Sequence, residues 1–410
     1  MPASTYAIKR RPDRYSPSPE AKSRLKQLDI ELTERCNNNC IHCLINRPVD
    51  DEEARSREMT TGQVLHILRQ AAALGCLQVR FTGGEPLLRP DFEDLYLYAR
   101  RLGLKVSLFT NARLITPSLA GLFARIPLLV PIEVTVYGMN RESCQAVTRA
   151  RDSYGQYRRG LELLLSHGVP FVVRWVMLPQ NKHEMPEFEA WAGTIPGMTG
   201  PPSYVVSLDM RSRRDDAARN ALIESLRLPP REALALICRD EAKYRRDMGK
   251  FATRFMGPTG DRLFSCGAGQ SVCVDAYGYA QPCMGLRSPD LTCKLITGPE
   301  PDRGNEALSL ADALDRFRQL RGLRAENPEY LRRCAKCFLR GLCEQCPAKS
   351  WSEHGNLDTP VACLCEAAHV KARRLGLLGE TEFGWEVVDW QERIHNAFQE
   401  TALIGNQSSE

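Results

Sequence analysis

The chain has 410 residues, 43% hydrophobic and 26% charged, which is longer than one ordinary domain, so we expect two domains or one large barrel with an appendage. Its 55 basic and 50 acidic residues leave a net charge of +5, which excludes a polycation that coats nucleic acid. No run of 18 apolar residues occurs and no apolar segment follows the first residues, so membrane spanning and secretion are disfavoured and a cytoplasmic protein is expected.

The first 210 residues predict an arm followed by alternating strands and helices. Residues 1–25 are polar and contain four prolines, which indicates an N-terminal arm without its own core. A helix is expected from Val64 to Leu74, because Thr60 and Gln63 form a capping-box pattern before it. This order favours an α/β fold, with a parallel sheet or barrel and helices outside it. Six apolar, β-branched runs have strand lengths: 28–32, 77–81, 106–109, 132–136, 171–176 and 204–208.

The pattern changes in the second half of the chain. Residues 211–258 are charged and predict a helical connector. From about residue 259, glycines and prolines interrupt the chain, and ten of the sixteen cysteines follow. Because this segment has few long apolar runs, bound metal is expected to stabilise it. We predict a small cysteine-rich α+β domain over 259–375 and a C-terminal tail over 376–410.

Three cysteines with C-x3-C-x2-C spacing, Cys36, Cys40 and Cys43, follow the first predicted strand. Thiolates are the preferred ligands of iron–sulfur centres, and three of them leave one iron of a four-iron cubane open to an outside ligand. Zinc is the alternative on these residues alone, with His42 as an awkwardly placed fourth ligand.

A glycine-rich turn, Thr82-Gly83-Gly84-Glu85-Pro86, follows the second predicted strand. The two glycines would let a ligand approach the backbone, and the Glu85 carboxylate could pair with an ammonium group. A tight turn without any ligand would explain the same residues, because Gly-Gly turns are common.

Together the two motifs resemble those of the radical SAM superfamily, over roughly residues 26–210. The resemblance implies a partial (β/α)6 barrel of the TIM type, with a [4Fe–4S] cluster on Cys36, Cys40 and Cys43. It implies that the cluster reductively cleaves S-adenosylmethionine (SAM) to a 5′-deoxyadenosyl radical, which abstracts hydrogen from a substrate. It places the glycine-rich turn at the SAM amino group. It places Asn111 and Thr135 near the ribose or methionine moiety of SAM. It also places Arg149 near the SAM carboxylate and His42 near the adenine. The implied SAM-binding residues are His42, Thr82, Gly83, Gly84, Glu85, Asn111, Thr135 and Arg149.

The later cysteines resemble the SPASM extension of radical SAM proteins. They begin with C-x11-G-x4-C from Cys266 to Cys283 and continue with two C-x2-C pairs and a closing cysteine, although the second pair has x2 where the family usually has x3. Closed four-cysteine sites need such pairs, and zinc would also fit the spacing. The resemblance implies two auxiliary [4Fe–4S] clusters, three clusters in all, and Cys273 is an optional ligand. The implied ligands are Cys266, Cys273, Cys283 and Cys346 for auxiliary cluster I, and Cys334, Cys337, Cys343 and Cys365 for auxiliary cluster II, with Cys363 as the alternative to Cys365. Four cysteines outside all motifs are interpreted as small buried or tolerated thiols: Cys76, Cys144, Cys238 and Cys293.

The resemblance implies a peptide or protein substrate, as for peptide maturases of RiPP type. Met284 stands where sulfatase-maturing members carry Asp, which disfavours formylglycine formation. The alternatives are a cofactor-pathway radical SAM enzyme acting on a small molecule such as a tetrapyrrole, and, from another class, an iron–sulfur scaffold or redox protein. Expected partners are an electron donor such as flavodoxin or ferredoxin and a separate peptide-recognition protein, with no nucleic acid and no membrane. Arg174 and Arg211 are interpreted as members of structural ion pairs.

Overall fold

The computed structural model describes residues 25–295 and 307–404. Residues 1–24, which make up almost all of the predicted N-terminal arm, lie outside these ranges. Contacts divide the chain into two compact units, the first formed by Met1–Leu226 and Gly267–Leu320 and the second by Arg227–Cys266 and Arg321–Glu410. The predicted 259–375 domain is thus shared between two units, and its boundaries stay a prediction. In the ranges that the structure describes, no helix combines the length and apolar character needed to cross a membrane.

The first unit is built on a nine-stranded sheet with the order β11-β10-β9-β1-β4-β5-β6-β7-β8, and β2 and β3 form a separate ribbon. The strands are β1 (Gln27–Thr33), β2 (Arg35–Cys36), β3 (Arg47–Pro48), β4 (Gln78–Gly83), β5 (Lys105–Thr110), β6 (Ile132–Val136), β7 (Phe171–Val176), β8 (Ser203–Val205), β9 (Ser271–Val274), β10 (Tyr279–Gln281) and β11 (Cys293–Lys294).

The six predicted strands correspond to β1 and β4 to β8, and all of these pair in parallel. This confirms the mixed α/β class with a parallel sheet at its core. The sixth strand is shorter than predicted, because it ends at Val205 and not at Leu208. Leu208 is buried in an apolar cluster with Ile41 and Val176, so packing outside the sheet accounts for its apolar character.

Three strands of the cysteine-rich segment extend this sheet, which the sequence did not predict. Strand β9 pairs in parallel with β1, with Leu28 opposite Val272, and β10 and β11 continue in antiparallel order. Val272, Cys273 and Val274 are fully buried. Part of this segment is therefore stabilised by an apolar core and does not depend on metal alone, contrary to expectation.

The helices lie between and after these strands. Helix α2 begins at Thr61, and both hydrogen bonds of the predicted capping box between Thr60 and Gln63 are formed. The predicted connector is helical, as α8 to α10 show. The helices are α1 (Glu52–Arg57), α2 (Thr61–Ala73), α3 (Phe92–Arg101), α4 (Pro117–Arg125), α5 (Arg141–Thr148), α6 (Ser153–Ser166), α7 (Met185–Ala192), α8 (Ala217–Ser225), α9 (Pro230–Ile237), α10 (Glu241–Phe255), α11 (Leu310–Gln319), α12 (Pro328–Arg332), α13 (Pro347–His354), α14 (Ala362–Arg374) and α15 (Trp390–Ile404).

The second unit has its own apolar core, in which Phe338 and Leu339 are fully buried. Ala368 and Ala372 of α14 and Phe398 of α15 belong to the same cluster. Residues predicted as a C-terminal tail thus take part in a packed core, which places α15 within the unit.

Candidate functional site

The glycine-rich turn at the end of β4 packs directly on the chain that leaves β1. The amide of Gly84 donates to the carbonyl of Thr33 (2.7 Å), and the amide of Glu85 donates to that of Arg35 (2.9 Å). Gly83 has φ +129°, and a Cβ there would lie 2.1 Å from the Thr33 carbonyl oxygen. A Cβ on Gly84 would lie 2.2 Å from the Arg35 oxygen. Glycine is required at both positions because backbone of the same chain approaches them this closely. The approach of a ligand to this turn stays a prediction.

We predict that Gly84→Ala lowers the free energy of unfolding by about 1–3 kcal/mol and weakens SAM binding, because the added methyl group must displace the turn from the Arg35 carbonyl. Urea unfolding and SAM titration of the full chain measure both effects. Gly62→Ala is the matched control, since the nearest atom to its added Cβ would be 4.0 Å away. Equal behaviour of the two variants would contradict the close approach.

The Glu85 side chain connects the ends of β4 and β5. It is fully buried, and it accepts hydrogen bonds from the Thr110 hydroxyl (2.8 Å), the Asn111 amide (2.8 Å) and the Leu87 amide (3.1 Å). Burial raises the pKa of this carboxyl to about 7. Three donors from the chain hold the two carboxylate oxygens in place, and the pairing of Glu85 with an ammonium group stays a prediction. Glu85 fixes the position of Asn111.

Asn111 links this junction to the cysteine loop. Its side-chain amide donates to Asn37 Oδ1 (2.7 Å) and lies 3.8 Å from the Cys36 sulfur. The Asn38 backbone amide also donates to the Cys36 sulfur, at 3.4 Å. Donors aimed at a sulfur stabilise its thiolate, the form that binds iron.

The three loop cysteines differ in exposure. Cys36 and Cys40 are buried and Cys43 is partly exposed. Burial raises the pKa of the Cys36 thiol to about 12 and that of Cys40 well above its usual value, and Tyr137 hydrogen-bonds to Cys40. Such buried thiols lose their protons when a metal binds them, because the metal supplies the compensating charge.

Two arginines that the sequence analysis did not identify hold the loop in place. Arg113 donates to Asn38 Oδ1 (2.5 Å) and to the carbonyl of Asn37. Arg219, far along the chain, donates to the Cys40 carbonyl (3.2 Å). The only available signal was the position of Arg113 just after β5; nothing in the sequence connects Arg219 with this loop.

The remaining predicted SAM-binding residues surround the loop in different ways. The His42 ring lies 5.6 Å from that of Tyr137, and burial lowers the pKa of His42 to about 4, so its imidazole is neutral. Thr135 lies on β6 opposite Arg174 of β7, Thr82 is buried near the end of β4, and Arg149 is exposed at the end of α5.

A cavity of about 800 Å³ lies beside the cysteine loop, and both Cys36 and Arg149 line it. Six arginines and three aspartates line it, so its wall is cationic. Arg211 pairs with Asp215 at 2.6 Å, and elsewhere on the sheet Arg174 pairs with Glu133 at 2.5 Å, which confirms that both arginines belong to ion pairs. The charged lining residues are Arg47, Asp50, Arg113, Arg149, Arg151, Arg211, Asp215, Asp216 and Arg219.

A second group of cysteines gathers around a small cavity of about 70 Å³ in the second unit. Burial raises the pKa of Cys334 and Cys337 to about 12 and that of Cys343 to about 11. Cys363 does not line this cavity. Its sulfur instead accepts a hydrogen bond from Arg227 at 3.5 Å. The cysteines of the wall are Cys334, Cys337, Cys343 and Cys365.

The four predicted ligands of auxiliary cluster I are divided between the two units and differ in exposure. Cys273 is buried in β9 and Cys283 is exposed, both in the first unit; Cys266 is exposed and Cys346 partly exposed, both in the second. This set stays a prediction. Within residues 25–295 and 307–404, no three His, Cys, Asp or Glu side chains are arranged to hold a single metal ion. A cubane does not need that arrangement, since each of its thiolates binds a different iron.

Comparison with known proteins finds a family similarity within the first unit. Residues 30–192 match the model of the Radical SAM superfamily. The AdoMet-dependent heme synthase of Methanosarcina barkeri is 30% identical over 155 residues, 38% of this chain and 43% of that protein. The PqqA peptide cyclase of Gluconobacter oxydans is 30% identical over 162 residues, 40% of this chain and 44% of that protein. The chain thus spans less than half the length of these curated relatives.

The similarity to a solved structure extends over more of the chain. Streptococcus suis SuiB, solved bound to the precursor peptide SuiA, has a TM-score of 0.57 and 16% sequence identity, covering 83% of this chain and 76% of SuiB. At this identity the likeness concerns the fold. The family match and the cysteine loop held on the glycine-rich turn agree: residues 30–192 form a domain similar to those of the radical SAM superfamily.

Proposed function

We propose that this chain is a radical SAM enzyme that abstracts hydrogen from a peptide or protein substrate. The observation that carries the proposal is the connection between the two motifs: the glycine-rich turn binds the backbone before Cys36, and Asn111, held by Glu85, reaches the Cys36 sulfur. A [4Fe–4S] cluster with SAM would supply the 5′-deoxyadenosyl radical.

The residues of the loop fit such a cluster. Cys36, Cys40 and Cys43 are three soft donors in one loop, and three donors leave one iron open for SAM. Hydrogen bonds to Cys36 from Asn38 and Asn111 would stabilise its thiolate. We propose that two residues contact SAM: Asn111, whose side-chain amide lies 3.8 Å from the Cys36 sulfur, and Arg149, which lines the same cavity as Cys36.

Auxiliary cluster II is proposed at the cavity of the second unit. Its support is the shared wall of Cys334, Cys337, Cys343 and Cys365, and the separate position of Cys363. We therefore favour Cys365 over Cys363 as the closing ligand. Auxiliary cluster I, the electron donor and a separate peptide-recognition protein stay predictions.

The two cysteines give a direct test of this assignment. Cys365→Ala is expected to remove about four irons per chain from reconstituted protein, because a cubane that loses a ligand is exposed to solvent and degrades. Cys363→Ala, its matched control two residues away, is expected to keep full iron content. Iron and sulfide analysis measures both, and the reverse result would make Cys363 the ligand.

A peptide substrate is supported by two of the similar proteins, one named a PqqA peptide cyclase and one solved with a precursor peptide. The cavity beside Cys36 is large enough for a peptide side chain and is open to solvent at Arg149 and Arg151. A tetrapyrrole is the second candidate, favoured by the match to a heme synthase. An iron–sulfur scaffold without SAM chemistry is disfavoured by the family match.

The deciding experiment is anaerobic reconstitution, followed by iron analysis and an assay for 5′-deoxyadenosine with SAM and dithionite. About twelve irons per chain with 5′-deoxyadenosine formed are expected. Absence of SAM cleavage by the loaded protein would overturn the proposed activity. Hydrogen transfer from deuterated peptide or porphyrin into 5′-deoxyadenosine then separates the two substrate classes.

A further inference from the structure

Arg333 contacts one of the cysteines around the cavity in the second unit. Its Nη2 donates to the Cys365 sulfur at 3.2 Å, and its Nη1 donates to Glu329 Oε1 at 2.7 Å. Its guanidinium carbon lies 4.6 Å from the centre of the Trp385 ring. The guanidinium is thus fixed from two sides, by a carboxylate and by an aromatic face, and is directed at the sulfur.

The helical turn that carries Cys365 is held by His369 in the next turn of α14. Gly384 donates its backbone amide to His369 Nε2 at 3.0 Å, so that nitrogen carries no proton. The proton is therefore on Nδ1, which lies 2.7 Å from the Cys365 carbonyl oxygen and donates to it. This bond fixes the helical turn that carries Cys365, so the distance from Arg333 to the sulfur is set by the fold.

We propose that Arg333 raises the reduction potential of auxiliary cluster II through a charge-assisted N–H···S hydrogen bond to Cys365. The inference rests on the proposed function, since it requires the cluster at this cavity. Reduction adds one negative charge to a cluster and its thiolates, and a cation with a hydrogen bond to a ligand sulfur stabilises that added charge. Arg333 is a positioning residue for the cluster's electronic state and takes no part in the chemistry on the substrate.

The neighbouring arginine offers a matched control. Arg332 pairs with the other carboxylate oxygen of the same Glu329 at 2.7 Å, but its side chain is 67% exposed. Among the residues that the structure describes, Arg332 donates no hydrogen bond to a cysteine. A change that acts through Glu329 or through total charge would appear in both arginine variants, whereas one that acts on Cys365 would appear only in the Arg333 variants.

The test is a potentiometric titration of the reconstituted full chain, followed by EPR, for the wild type, Arg333→Gln, Arg333→Met and Arg332→Gln. We expect one cluster couple to move to lower potential in Arg333→Met. We expect a smaller shift of the same couple in Arg333→Gln, which keeps a neutral N–H donor, and no shift in Arg332→Gln. The other couples should keep their potentials in all variants.

Three results distinguish a failure of the proposed role of Arg333 from a failure of the cluster assignment. Unchanged potentials in an Arg333 variant with full iron content would overturn the role of Arg333. Loss of cluster iron in both Arg333 variants would assign the residue to cluster assembly and would also overturn it. Wild-type iron content in Cys365→Ala would instead refute the assignment of auxiliary cluster II to this cavity, on which the role of Arg333 depends.

Discussion

Simultaneous replacement of Cys36, Cys40 and Cys43 with alanine is expected to abolish 5′-deoxyadenosine formation and to remove about four irons per chain, while the auxiliary iron remains. The three thiols are the soft donors of the loop, and hydrogen bonds to the Cys36 sulfur show that the loop is built around them. Without them no iron is held where the glycine-rich turn and Asn111 meet. The measurement is iron content together with chromatographic detection of 5′-deoxyadenosine after incubation with SAM and dithionite.

Cys144 provides the control, since it is a buried thiol of the same unit that no motif includes. Its sulfur lies 3.5 Å from the Ser153 hydroxyl, on the α5–α6 segment. Cys144→Ala is expected to keep its iron and its activity. SAM cleavage by the triple variant would show that the loop does not hold the reactive cluster.

The sheet was predictable because its parallel strands are rich in apolar and β-branched residues; in β6, for example, buried apolar residues alternate with partly buried polar ones. Strand β9 was not predictable, because Ser271–Val274 is only four residues long and lies between glycines in a segment that resembles a loop. Its strand conformation comes from pairing with β1, a long-range contact that no local pattern encodes.

The sequence could identify candidate residues for the site, but it could not predict the contacts that these residues make. Spacing identified the cysteines and the glycine-rich turn, because both depend on local sequence. It could not show that Thr33 and Arg35 occupy the space beside the glycines, or that Glu85 accepts hydrogen bonds from Thr110 and Asn111 at the end of β5. Arg219 illustrates the limit, since it reaches the Cys40 carbonyl from a helix about 180 residues later.

A buried ionic network joins β1 to the cysteine-rich strands within the first unit. Arg287 donates to Glu31, and its other terminal nitrogen lies 3.6 Å from Asp275; both partners are almost completely buried. Arg213 bridges Asp275 (2.9 Å) and Glu34 (2.6 Å), close to the cysteine loop. Two arginines thus face three carboxylates: the Arg287 side chain is 1% exposed and the Arg213 side chain 31% exposed.

Arg287→Met is expected to lower the free energy of unfolding by about 3–5 kcal/mol, because it leaves the buried Glu31 carboxylate without its cation. Arg55→Met is the control: Arg55 forms an exposed pair with Glu52 at 3.4 Å, and its loss should cost under about 1 kcal/mol. Equilibrium urea unfolding of the reconstituted full chain measures both variants.

The pH dependence of the lost free energy of unfolding shows whether the charge of Arg287 is responsible for it. Burial raises the pKa of Glu31, and Arg287 opposes that shift, so removing Arg287 raises the pKa of Glu31 further. A carboxyl whose pKa is raised in the folded state binds its proton more tightly there than in the unfolded chain, so acidification through the folded pKa stabilises the fold. The difference between wild type and Arg287→Met should therefore be largest at high pH and should shrink as Glu31 takes up its proton. A loss that is constant with pH would mean that Arg287 acts through packing and not through its charge.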